Sequence, residues 1–384
     1  MNNRNLAIDM LRGLTMVLMV FVNDFWTILD VPHWLEHFAT WEDGMGLSDI
    51  IYPLFLFAVG MSIPYAIDRR YEKGLSPEST LGHIFSRTLA LLLMGTFICN
   101  QEAREIAGCR WLWMLLVLVG FFLVWNQYKA DFKPAKWLRA AGMVLLAVLA
   151  ITYRTPDGDY FEALWWGILG QIGWAYLFCA VAYLLCRQRP WPLALFWILL
   201  CLVNLSVTPM RGGERLLGDN FLADLSQAVH LGNGHIGIMA LGGMLTTLAG
   251  RRIKSAPTGI GFAAAAVLAV LGLAAHQGWI VSKNLGTLPW CLYVSAIGVA
   301  LYTLLRLLER KGWTGWFKPL QPAGTATLTV YMIPYLFIVG WVLLEPSIPA
   351  WLCGWVGVAK SALYTVAVMA VAWILTKSGI KLKV

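Results

Sequence analysis

The sequence predicts an all-α protein: a polytopic bundle of about twelve (10–12) transmembrane helices with both termini cytoplasmic. Three observations predict it. Of the 384 residues, 59% are hydrophobic and only 13% charged, where a soluble domain carries about 25%; a soluble surface of this size would stay under-hydrated. The apolar residues gather in runs of roughly 17–25, the length that crosses the hydrocarbon core. Lys and Arg sit in short clusters between these runs, and the clusters alternate in strength from one loop to the next.

Twelve runs qualify: 10–29, 48–67, 82–99, 111–127, 137–153, 163–186, 191–208, 229–250, 258–276, 286–307, 325–345 and 357–376. The first follows Arg4 and Arg12 but lacks a small-residue cleavage site and carries Asn23 and Asp24 near its far end. It reads as a retained span and not as a signal peptide. The second opens on Ser48-Asp49, as expected where a first turn is capped and its dipole complemented. The fourth and fifth form an apolar hairpin, 111–153. The eighth is glycine-rich from His230 to Gly243, which suits close helix approach or, on the other reading, room for a long ligand. The tenth is introduced by Ser282-Lys-Asn-Leu-Gly-Thr-Leu-Pro-Trp290.

Alternate loops hold only Arg104, Arg110, Arg154, Arg211, Arg215, Lys283 and Lys360, leaving 22 of the 29 basic residues to the other set and the termini. The positive-inside rule puts that richer set in the cytoplasm. The net charge of +8 is therefore a topology signal, and nucleic-acid binding is excluded. Twenty Trp fit two membrane interfaces. No polar stretch exceeds about 20 residues, so residues 1–384 read as one domain. The seven cysteines have no metal-ligand spacing and no metal is expected; Cys99 and Cys109 flank one outer loop and could form a disulfide.

On this topology the first outer loop and its helix ends hold the densest polar cluster: Asn23, Asp24, His33, Glu36, His37, Glu42, Asp43 and Asp49, with no Lys or Arg within the loop. Asn23 and Asp24 either face the bundle interior or are hydrated at the interface. Asp49 is a helix cap or a partner for a base. His37, between Trp34, Phe38 and Trp41, is either solvated or a general base in a partly dry pocket. His235 and Asn233 line any ligand held by the eighth span. Lys283-Asn284 contacts an acyl or sugar group, unless the lysine simply snorkels.

These residues carry a resemblance. Ala7-Ile-Asp-Met-Leu-Arg-Gly-Leu-Thr15, His37-Phe-Ala-Thr-Trp-Glu-Asp-Gly44 and the run from Leu47-Ser-Asp to Ile63 are similar to the heparan-α-glucosaminide N-acetyltransferase family of membrane acyltransferases. The similarity is to its bacterial relatives, which lack the luminal domain of the animal enzyme. Gly167 to Gly173, Gly234-His-Ile-Gly237, Lys283-Asn-Leu285 and Thr329-Val-Tyr331 agree more weakly. Departures are Trp41-Glu-Asp-Gly44, where the family often has Trp-Asn-Gly, and the added hairpin; they bear on the acceptor more than on acyl transfer.

The resemblance implies transfer of an acetyl group from cytoplasmic acetyl-CoA to a sugar or glycan at the outer face, in the bacterial inner membrane. It places Asn23, His37 and Asp49 at active-site positions. His37 would be general base or acetyl carrier, Asn23 a donor to the thioester oxygen, and Asp49 the imidazole's orienter. Arg12, Arg69, Arg70, Arg87, Arg251, Arg252 and Lys254 form the cytoplasmic field for the coenzyme phosphates. Asp24, Trp41, His235, Lys283 and Asn284 would contact the acceptor. The competing class is a proton-coupled transporter or flippase of a sugar or lipid-linked substrate, which would favour an internal repeat or paired broken helices; the sequence displays neither. N- against O-acetylation, and monomer against homodimer, stay open.

Overall fold

The computed structural model describes residues 5–186, 189–218, 221–228, 230–252, 258–344 and 347–384; Arg4 and Lys254 of the basic clusters lie outside them. The described residues form α-helices with no strand. In chain order they are α1 (Leu6–Val22), α2 (Leu47–Glu72), α3 (Pro77–Ala103), α4 (Arg110–Trp125), α5 (Ala135–Thr152), α6 (Ile168–Cys186) and α7 (Pro190–Val207). There follow α8 (Phe221–Ala228), α9 (His235–Arg252), α10 (Thr258–His276), α11 (Leu288–Arg310), α12 (Gln321–Thr325), α13 (Thr327–Leu344) and α14 (Gly354–Lys377).

Ten of the described helices are long and apolar enough to cross a membrane. Of the twelve runs read from sequence, α4 is shorter, at 16 residues, and α9 is rich in glycine and threonine and ends in Arg251-Arg252. The helix ends follow local chemistry. Asn5 caps α1 by accepting from the Ile8 N–H, Ser76 caps α3 ahead of Pro77, and Pro190 occupies the first position of α7, where its missing N–H costs nothing.

Two boundaries depart from the sequence reading. α1 stops at Val22, well short of 29, because the chain turns at Asn23 into a 3₁₀ turn over Phe25–Thr27. α9 starts at His235 and not at 229, because Gly232 and Gly234 adopt φ of 50° and 87°, a left-handed backbone that glycine takes without penalty.

Glycine decides how the central helices meet. A Cβ at Gly60 would collide with the Ala240 backbone and one at Gly243 with the Phe57 backbone, so α2 and α9 lie against each other. Close helix approach is what Gly243 of the eighth span serves. Gly95 of α3 meets Gly170 of α6 in the same way. α5 and α10 bury few side chains: α5 folds back on α4, and α10 packs along α11. The hairpin 111–153 lies outside α3 and α13, with Trp113 against Phe97 at 6.0 Å. Cys99 and Cys109 are both free, one buried and one exposed. No disulfide joins them: the Cys99 thiol is packed against Gly167.

Candidate active site

The turn that ends α1 separates two neighbouring polar residues. Asp24 is 6% exposed, and its Oδ2 accepts from Lys360 Nζ at 2.7 Å and from Ser361 Oγ at 2.5 Å, both on α14. Lys360 also donates to Thr27 Oγ1. Asp24 thus ties the turn after α1 to α14, and it also borders the cavity that Asn23 and His37 share. Asn23 caps α1 with its backbone N–H, bonded to Met19 O, which leaves its amide exposed, with no hydrogen bond among the described residues.

The loop after this turn carries His37, and Asp49 in the first turn of α2 holds it. Asp49 Oδ2 accepts from the N–H of Gly46 at 3.1 Å and of Phe38 at 3.0 Å. Oδ1 lies 2.7 Å from His37 Nδ1. One carboxylate, 2% exposed, therefore accepts from the N–H at the start of α2, fixes the backbone beside His37 and orients the imidazole. With Nδ1–H assigned to Asp49 by that contact, Nε2 keeps its lone pair.

A second loop, between α10 and α11, clasps the first. Ser282 Oγ donates to Thr40 O at 2.8 Å, Asn284 Nδ2 to Phe38 O at 3.2 Å, and the Gly44 N–H to Val281 O at 3.0 Å. Asp43 accepts from the Val281 N–H and from His276 Nε2, both at 2.8 Å, and pairs with Arg211 at 2.7 Å. Burial raises the Asp43 carboxyl, but these three donors outweigh it and hold it below its ordinary 3.8. Lys283 reaches over the clasp to His37: its Nζ is 3.0 Å from Nδ1, 3.5 Å from Nε2 and 3.7 Å from Asp49 Oδ1. Burial lowers the Lys283 amine from its ordinary value, against the opposing charge of Asp49.

His37 and Asn23 border one cavity of about 850 Å³. Glu36, Glu102, Tyr331, Tyr335 and Lys360 share its wall, with Trp26, Phe337, Trp341 and Tyr364 as apolar faces. Glu102, on the last turn of α3, accepts from Tyr335 at 2.8 Å, and Tyr335 contacts Tyr331 at 3.2 Å. Sequence reasoning missed Glu102, Tyr335 and Lys360 as site residues. The one sequence signal was the pair Tyr331 and Tyr335, four apart and so on one face of α13.

The other expected contacts fall elsewhere. Trp41 is 58% exposed and does not border the cavity, nor does Asn284, which braces the His37 loop. His235 packs between Gly232 and Gly286 with its ring 5.9 Å from Trp290, and Asn233 donates to Leu285 O at 3.0 Å. Both support the turn that carries Lys283, and neither borders this cavity. None of the expected phosphate residues among the described ones borders the cavity either. Arg251 pairs with Asp68 and lies over Tyr65, Arg70 binds Ser79 and Thr80, Arg87 lies over Tyr176, and Arg12 donates to Thr327 at 3.0 Å. Arg69 and Arg252 are exposed.

Residues 5–377 match the family described as an acyltransferase domain. Heparan-alpha-glucosaminide N-acetyltransferase of Mus musculus is 34% identical over 100 residues, covering 26% of this chain and 14% of that protein. Its Homo sapiens counterpart is 32% identical over 96 residues, covering 25% and 14%. The chain thus spans about one seventh of the length of the curated relatives it matches.

Proposed function

This chain belongs to the acyltransferase domain family, and from that premise we propose that it moves an acetyl group from cytoplasmic acetyl-CoA to a sugar or glycan amine or hydroxyl at the opposite face. The observation that carries the reading is the 2.7 Å contact of His37 Nδ1 with Asp49 at the wall of a cavity that Asn23 also borders. A buried carboxylate that fixes the tautomer leaves the other ring nitrogen as a base.

His37 Nε2 takes the proton from the acceptor as its nitrogen or oxygen attacks the thioester carbonyl. The Asn23 amide donates to the oxygen as charge develops there. Collapse breaks the C–S bond, and the proton held on His37 passes to the departing thiolate. Trp26 and Trp341, edge to face at 5.3 Å, with Phe337 and Tyr364, offer apolar faces to a sugar ring. Glu36 and Glu102 accept from its hydroxyl or amino groups.

In this scheme α4 and α9 complete twelve crossings, both termini are cytoplasmic, and the protein sits in a bacterial inner membrane. The exposed Arg69 and Arg252 are the first contacts of the coenzyme phosphates, while Arg251 is held by Asp68. Incubating the purified protein with labelled acetyl-CoA and a panel of amino sugars and glycans tests the reading. Label must appear in an acceptor with wild-type protein and not with His37→Ala; transfer to none of the panel would sink it.

A further inference from the structure

A groove separate from the site above lies between α4, α13 and the end of α14. Leu115, Leu118, Val119, Phe122 and Leu123 of α4 form one wall. Leu336 of α13, with Leu375 and Ile380, forms the other, around about 390 Å³. The α4 residues recur at three- and four-residue spacing and so make one stripe. From Leu115 to Asn126 that stripe runs about 16 Å at the helical rise, close to half of the roughly 30 Å hydrocarbon core. Val119 and Leu336 are 41% and 39% exposed, so the groove opens sideways, toward the bilayer.

Its mouth is polar and basic, at the end of the bundle away from His37, where α4 stops at Trp125 and α14 at Lys377. Residues 381–383 run back along the end of α4. The Lys383 N–H donates to Trp125 O at 2.9 Å, the Gln127 N–H to Lys381 O at 2.8 Å and the Lys381 N–H to Asn126 Oδ1 at 2.9 Å. Leu382 between the two lysines is 5% exposed, so alternation turns the Lys381 and Lys383 side chains away from the core. Arg139 lies 5.4 Å over the Tyr128 ring, and Tyr128 and Asn126 both line the groove. Tyr128 spends its hydroxyl on Leu123 O. The Asn126 side chain accepts through Oδ1, and its Nδ2 has no hydrogen bond among the described residues, so a donor is left at the mouth. Residues 126–139 and 377–383 together hold seven cations against one acid, Asp131.

We propose that this groove holds one acyl chain of an anionic phospholipid, with the phosphate at the mouth among Asn126 Nδ2, Arg139, Lys381 and Lys383. A chain lying in a groove half a bilayer deep leaves its headgroup at the interface, where those donors stand. Phosphate oxygens accept from the amide and from the cations alike. A second copy of this chain is disfavoured on the same face, because a symmetric pairing would set one cluster of cations against another. The lipid lies on the back of α13: Leu336 faces it, while its neighbours Tyr335 and Phe337 border the cavity of His37. An occupied groove therefore steadies the helix that forms one wall of that cavity. The inference needs only the membrane setting and stands whether or not acetyl transfer is the reaction.

The test uses the full chain, purified in detergent and stripped of lipid. It is titrated with dioleoyl phosphatidylglycerol and, in parallel, with dioleoyl phosphatidylcholine and with glycerol phosphate. Native mass spectrometry counts bound molecules, and the melting temperature reports their effect. The expected result is a single phosphatidylglycerol bound ahead of the other two, with a rise in melting temperature that neither of them matches. Lys381→Gln combined with Lys383→Gln should weaken that binding roughly thirtyfold, the loss for two basic residues at an anionic headgroup. Val119→Trp, which fills the groove from α4, should abolish it. If that variant fails to fold, the lysine pair still decides. The proposal is overturned if the two lipids bind equally, if glycerol phosphate serves as well as the intact lipid, or if the folded variants bind as the wild type does. A dimer formed through this face and unaffected by lipid overturns it as well.

Discussion

Trp290 Nε1 donates to the main-chain carbonyl of Asp49 across 3.1 Å, tying the first turn of α11 to the first turn of α2. The indole is 1% exposed. The backbone that carries the carboxylate orienting His37 is therefore held from behind by a packed helix.

His37→Ala should lower turnover by about 10² to 10⁴, the range for loss of a general base. The side chain is 53% exposed, so the melting temperature should stay close to wild type. Steady-state rates and calorimetric binding of acetyl-CoA check both parts; wild-type turnover would remove His37 from the chemistry.

Asp49→Ala should cost turnover and stability together. The carboxylate caps α2 as well as holding the imidazole, and losing a cap costs about 0.5–2 kcal/mol. Thermal unfolding followed by intrinsic fluorescence should show a clear drop, unlike that of His37→Ala. A variant that is stable but inactive would mean that the capping contact carries little weight.

Asp24→Asn and Lys360→Met each leave one charge without its counter-charge between the turn after α1 and α14. A single change should destabilise by about 3 kcal/mol, the low end for a broken buried pair, since the Lys360 side chain is 30% exposed. The double variant should lose less than the sum, because neither charge is then stranded. Additive losses in a double-mutant cycle would show that the two residues act separately.

Gly243→Val should prevent α2 and α9 from closing, because the added carbon meets the Phe57 backbone. Overpacking of this kind costs about 1–3 kcal/mol, and more where backbone must move. Gly250→Ala on the same helix has nothing nearer than 3.9 Å and should be tolerated. Yield of monodisperse protein on size exclusion separates the two.

The Asp43 contacts set an acid limit. Its folded carboxyl titrates below the ordinary 3.8, so the stability it contributes is present above that value and is lost as pH falls through the lower folded value. Melting temperature should therefore drop more steeply below pH 4 in the wild type than in Asp43→Asn. Parallel curves would show that the clasp draws nothing from this charge.

Much of the fold was legible because apolar length is a one-dimensional signal. The twelve runs overlap the helices closely, and the two largest boundary errors fall where a single turn overrides hydropathy: at Asn23, and at Gly232 with Gly234. His37, Asn23 and Asp49 were legible because they cluster within 27 residues. Glu102 and Tyr335 were not, because 233 residues separate them and each looks unremarkable on its own helix: an acid at a helix end, an aromatic in a core. His235 and Arg251 lie off the cavity wall for the opposite reason. Both have the right chemistry, but His235 is wedged between two glycines and Arg251 is matched by Asp68, and neither fact is visible until the chain folds.

The clasp between the two outer loops has a consequence for how the protein can be divided. The residues that hold the base come from the first 50 positions, whereas Ser282, Lys283 and Asn284, which fix that loop, come from the last third of the chain. The site is a seam. A fragment ending before α10 would possess His37 and Asp49 without the brace of Ser282 and Asn284 on their loop, and a fragment beginning at α10 would possess the brace alone. Only when the two meet, whether in one polypeptide or as co-expressed pieces, does the imidazole acquire a fixed address.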